Sequence, residues 1–97
     1  MARVVYSRNA LANLERAFDF LREKDPEAAT AAAEAIATAI EALAAHPLVG
    51  RPLPSGLREL VISYGKTGYV ALYRFLPARD EIRILALRHQ RELDYPV

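Results

Sequence analysis

Gly68-Tyr69-Val70-Ala71-Leu72-Tyr73-Arg74-Phe75, then a short polar break, then Glu81-Ile82-Arg83-Ile84-Leu85-Ala86-Leu87-Arg88-His89-Gln90-Arg91-Glu92, is the stretch that decides the fold. Both halves are rich in β-branched and aromatic residues, so they read as strands, with Pro77 to Asp80 as the turn between them. Side chains alternate across a strand. Tyr69, Ala71, Tyr73 and Phe75 therefore share one face, and Val70, Leu72, Arg74 and Leu76 the other. Two largely apolar faces mark a central strand covered on both sides. In the second strand Ile82, Ile84 and Ala86 are expected to alternate with Arg83, Leu85 and Leu87. Beyond it the chain turns polar and basic at once, from Arg88 to Glu92.

Upstream, Arg3 to Tyr6 is a strand by propensity, and Ser7 is placed to cap a helix from about Arg8 to Lys24. Leu11, Leu14, Phe18 and Leu21 recur at helical spacing and predict its buried stripe. Asp25-Pro26 ends that helix and starts the next, because aspartate caps and proline suits a first turn. The second helix runs to about Ala45, with Ala29, Ala32 or Ala33, Ile36, Ile40 and Leu43 as its stripe. The pair should form an antiparallel hairpin. His46 to Gly56, with three prolines and two glycines, reads as a loop. Leu57 to Ile62 is a strand, and Tyr64 to Thr67, with Gly65 and Lys66, a turn. The expected order is β-α-α-β-β-β: an α+β domain over residues 1–97, with a small, mostly antiparallel sheet and a helical hairpin on one face. The first strand belongs at an edge or in a parallel pair.

Composition narrows the function classes. The chain is 53% hydrophobic and 26% charged, an ordinary globular balance. It has no cysteine, which removes disulfides, thiolate nucleophiles and cysteine-based metal sites. Its two histidines, His46 and His89, lie too far apart in sequence to suggest a metal site, and neither cofactor nor metal is expected. There is no run of about 18 apolar residues and no apolar signal region after Met1, so the expectation is a cytoplasmic protein without a membrane role. Net charge is +1, but residues 47–97 carry 8 basic and 5 acidic side chains while residues 1–46 carry 5 and 7. The excess of cations in the hairpin half favours an anionic partner.

These pieces form a known pattern. Ala10 to Leu21 (A-L-A-N-L-E-R-A-F-D-F-L), His46 to Pro52 (H-P-L-V-G-R-P), Leu57 to Leu60 (L-R-E-L), and the two strands quoted first, taken in order, resemble the RelE/ParE superfamily of type II toxin–antitoxin toxins, and more closely its ParE branch. The resemblance implies a small toxin held inactive by a cognate antitoxin, as a heterodimer or heterotetramer. ParE-like members poison DNA gyrase by binding it, whereas RelE-like members cleave mRNA in the ribosome. A toxin-derived binding module without activity is a third possibility.

The chemistry of a ribonuclease needs cations at the phosphate and an acid–base pair. RelE-like nucleases carry a basic residue directly after the Gly-Tyr of the central strand, where this chain has Val70. Arg88, His89, Arg91 and Tyr95 are the candidate catalytic set if the chain is a nuclease, and none is expected to be catalytic if it is ParE-like. Arg58, Arg74, Arg88, His89, Arg91, Ala29 and Ala33 are candidates for contact with the antitoxin or the target. Aromatic interleaving is too thin for a single-strand nucleic-acid platform, so direct nucleic-acid binding is not expected. The tyrosines Tyr64, Tyr69 and Tyr73 read as sheet packing.

Overall fold

The structure, a computed structural model, describes residues 1–64, 67–92, 94 and 95. The turn expected around Gly65 and Lys66 lies outside the described residues. Five strands and two helices follow one another as β1 (Arg3–Tyr6), α1 (Arg8–Lys24), α2 (Pro26–Glu41), β2 (Arg51–Pro52), β3 (Leu57–Tyr64), β4 (Thr67–Leu76) and β5 (Glu81–His89). The sheet order is β1-β5-β4-β3-β2, antiparallel except for the β1–β5 pair. β4 is thus central, as its two apolar faces require, and β1 is both an edge strand and a parallel one. The helical hairpin covers one face, α1 over β5 and α2 over β3.

Local chemistry explains the helix ends. Ser7 accepts from Ala10 N–H at the start of α1. Asp25 serves both helices: its N–H closes α1 on Leu21, and its carboxylate accepts from Glu27 and Ala28 N–H to open α2. Ala29, Ala32, Ile36, Ile40 and Leu43 are buried, as their spacing predicts. The last turn tightens into a 3-10 segment at Ala42–Ala44, where Leu43 is fully buried.

Three expectations are corrected. Leu11 is exposed; the inward stripe of α1 runs through Ala10, Leu14, Ala17, Phe18 and Leu21, with Asn13 buried beside it. At about 100° per residue Leu11 is turned about 60–120° from Ala10, Leu14, Ala17 and Leu21, which leaves it at the margin of the stripe on the Phe18 side. The loop His46 to Gly56 contains the short strand β2, which pairs with Arg58 and Glu59 of β3. Strand alternation in β5 breaks at Leu85. Leu72 pairs with Ala86 but Tyr73 with Ile84, leaving Leu85 as an extra, bulged residue. The bulge shifts the parity, so Ile82, Ile84 and Leu87 all enter the core under the helices.

The bulge sits where β1 stops. β1 pairs with β5 only as far as Tyr6↔Ile84, so among the described residues no strand lies beside the outer edge of β5 beyond that point. Polar side chains from the start of α1 take over. Ser7 Oγ and Asn9 Nδ2 each donate to the Leu85 carbonyl at 3.1 Å, and Asn13 Oδ1 accepts from Leu87 N–H at 2.9 Å. Leaving a buried donor unmet costs about 1–3 kcal/mol. Asn13→Ala should therefore lower stability by about that amount, read as a fall in the urea unfolding midpoint with an unchanged slope; a midpoint within error of wild type would contradict this role.

Candidate functional site

Two constellations lie on opposite faces of the sheet at the Tyr69–His89 end. The first is a groove of about 590 Å³ between α1 and the end of β5. Its apolar lining comes from Ala17, Phe20, Tyr69 and Leu87, and its charged lining includes Arg16 and Arg91. Phe20 is 59% exposed, a large aromatic set on the solvent side of an otherwise polar helix face. His89 stands edge-on to Tyr69 with ring centroids 5.4 Å apart, and its Nδ1 accepts from Arg91 N–H at 3.1 Å. Arg16 and Glu92 approach to 3.8 Å across the groove, both well exposed.

The second constellation is built on Glu59, a buried carboxylate on the face away from the helices. One of its oxygens accepts from Arg51. The other accepts from the Tyr95 hydroxyl at 2.5 Å and lies 3.8 Å from Arg88. The Arg88 guanidinium also sits 5.1 Å from the Tyr95 ring centroid, and it donates to the Glu92 carbonyl at 2.7 Å. The Tyr95 hydrogen bond, with help from Arg51, holds the Glu59 carboxyl below its ordinary range against the opposing effect of burial. Burial, then the carboxylate it donates to, push the Tyr95 phenol well above its ordinary value. At neutral pH the pair is therefore a fixed donor and a fixed acceptor, and neither group is poised to exchange a proton.

The proposed nuclease set is thus divided. Arg88 and Tyr95 meet at Glu59, whereas His89 and Arg91 line the groove under α1, which Arg88 also borders. The strand pleat sends the neighbours Arg88 and His89 to opposite faces, and the bulge at Leu85 sets which of them points to which face. Val70, at the position where a nuclease carries its cation, is 4% exposed and paired with Val61 and Arg88. Arg58 and Arg74 are placed elsewhere. Arg58 donates to the carbonyls of Leu48 and Gly50, and Arg74 to that of Ser55, so both brace the loop before β3. Ala29 is buried within the hairpin and Ala33 half-buried, so only Ala33 offers any surface. Arg16 and Phe20 escaped the sequence reading. Phe20 was legible as an aromatic out of phase with the stripe of α1; Arg16 was one more charge on a polar face.

The sign of the Glu59 effect follows from its lowered pKa. Its stabilising contribution is complete above the unfolded glutamate value, about 4.3, and is lost as pH falls through the folded value. Glu59→Gln should be less stable than wild type at pH 7, with the gap narrowing steadily below about pH 4. A gap independent of pH between 7 and 3 in urea titrations would show that the charge contributes nothing.

Comparisons with known proteins agree with this architecture. Residues 4–94 match the family described as the ParE toxin of the type II toxin–antitoxin system parDE. Toxin RelE3 of Caulobacter vibrioides is 37% identical over 86 residues, which covers 89% of this chain and 88% of that toxin. Toxin RelE2 of the same organism is 36% identical, covering 96% of this chain and all of its own length. A chain of the chromosomal ParDE toxin–antitoxin system from P. aeruginosa superposes with a TM-score of 0.75 at 27% identity, covering 92% of this chain and 96% of that one. Family match, relatives and fold converge: this chain belongs to the ParE toxin family of type II toxin–antitoxin systems.

Proposed function

We propose that the protein is a toxin that acts by binding a target protein, DNA gyrase, and that its cognate antitoxin neutralises it through the groove between α1 and β5. The observation that carries this reading is the division of the would-be catalytic set by the sheet. A nuclease must converge cations and an acid–base pair on one phosphate. Here the Tyr95 hydroxyl is bonded to Glu59 with the Arg88 guanidinium 3.8 Å from the same carboxylate, while His89 and Arg91 line the groove on the helix side, which Arg88 also borders. What the groove offers is recognition: an apolar floor beside exposed cations suits an acidic, amphipathic segment that folds as it binds. The RelE names of the curated relatives favour a second reading, an mRNA interferase, for which Arg91 would have to act from the groove.

Purified toxin added to gyrase should block supercoiling of relaxed plasmid at micromolar excess and leave message intact in a translation extract. Undisturbed supercoiling together with codon-linked mRNA cleavage, abolished by Arg91→Ala, would reverse the assignment. Within the groove, reversing both Arg16 and Arg91 to glutamate should weaken antitoxin binding about tenfold or more, equivalent to about 1.4 kcal/mol, without lowering the unfolding midpoint. Unchanged affinity by calorimetry would move the antitoxin to another surface.

A further inference from the structure

Along the outer edge of β5 the Leu85 carbonyl and the Leu87 N–H are met from the start of α1, by Ser7, Asn9 and Asn13. Amides two residues apart in a strand face the same edge, so His89 N–H is the next donor on it. It donates to Glu92 Oε1 at 2.9 Å, a side chain from the turn just past the strand. The Glu92 main chain is fixed on both sides. Its N–H donates to the His89 carbonyl at 3.0 Å, and its carbonyl accepts from Arg88 at 2.7 Å. The turn thus folds the Glu92 carboxylate back onto the groove between α1 and β5, which Glu92 helps to line.

The other oxygen of that carboxylate, Oε2, faces Arg16 of α1 at 3.8 Å. At that distance charge attracts but no hydrogen bond forms. The two side chains are 62% and 42% exposed, and exposed pairs of this kind hold weakly. Among the described residues that line the groove, Glu92 is the single acid beside Arg16, Arg88 and Arg91. What sits at this point is therefore visible in the chain itself: a carboxylate, with one oxygen on a main-chain N–H and the other toward a guanidinium. A carboxylate from a partner would find the same two groups. Its arrival in place of Glu92 would leave no donor unmet, because the incoming oxygen takes the His89 N–H. Glu92 would return to water, and its negative charge would leave the path of an acidic segment entering the groove.

We propose that Arg16 and the His89 N–H form a carboxylate subsite of the groove, held in the free toxin by its own Glu92, and that an Asp or Glu side chain of the antitoxin takes Glu92's place on binding. Glu92 is then a placeholder. It satisfies the strand end while the groove is empty and competes with the antitoxin when it arrives. The inference rests on the reading that the antitoxin binds in this groove.

The test is a double-mutant cycle on the full chain: Glu92→Gln, Arg16→Ala and the two together, each titrated with the cognate antitoxin in a calorimeter. Glutamine keeps an oxygen for the His89 N–H and loses only the charge that answers Arg16. Both positions are exposed, so all three variants should keep the wild-type unfolding midpoint. Glu92→Gln should bind the antitoxin at least about threefold more tightly than wild type, and Arg16→Ala should bind it more weakly by about the same factor. With Arg16→Ala in place, adding Glu92→Gln should change the affinity by less than about twofold. Equal affinity of Glu92→Gln and wild type overturns the proposal. So does a gain from Glu92→Gln that persists undiminished beside Arg16→Ala, which would make Glu92 a general repulsive charge and not a competitor for Arg16. Weaker binding by Arg16→Ala with no gain from Glu92→Gln would strike the subsite alone and leave the groove standing. Affinity unmoved by all three variants, and by reversal of Arg16 and Arg91, would take the groove reading down with it.

Discussion

The outer edge of β5 beyond Ile84 must be satisfied without a strand, and much of the site geometry follows from how that is done. β1 is four residues long and ends at Tyr6. Past it, Ser7, Asn9 and Asn13 supply from a helix the hydrogen bonds that a strand would have made to Leu85 and Leu87. This ties α1 to the sheet and accommodates the bulge at Leu85. Through the bulge it also settles which side chains of Arg88–Glu92 look toward α1. Buried backbone groups tolerate few unmet bonds, so three small polar residues near the start of one helix set the geometry of the end of the sheet.

The consequence is a division of labour between the two faces. On the face away from the helices, Glu59 gathers Arg51, Arg88 and Tyr95 into a closed set of charge-assisted contacts that fastens Tyr95 onto the sheet. On the helix side, a groove with an apolar floor carries Arg16, His89 and Arg91. The first arrangement is satisfied internally and has a structural use. The second leaves an aromatic ring and charged side chains exposed to solvent, which is what recognition of a partner requires.

Much of the fold was legible because the signals were local. Ser7, Asp25-Pro26 and the spacing of Ile36, Ile40 and Leu43 each act through neighbours within a few residues, and the observed helix limits agree with them. The central place of β4 followed from its two apolar faces. What could not be read was nonlocal. The bulge at Leu85 depends on where a strand 78 residues away in sequence runs out. Asn13 gives no sign of burial in A-L-A-N-L-E-R, because nothing nearby reveals the Leu87 N–H that it meets. Arg58 and Arg74 looked like recognition cations because sequence does not show the loop carbonyls that hold them. Arg88 and His89 looked like one cluster, since neighbours in a chain are placed together until the pleat sends them to opposite faces.

The most direct test of the groove as the antitoxin surface is hydrogen exchange, read by mass spectrometry, on the toxin alone and in its antitoxin complex. The account predicts new protection at residues 13–20 and 87–92, with exchange at residues 46–50 unchanged. Protection centred on residues 46–50, with α1 and the end of β5 exchanging as in the free toxin, would contradict it.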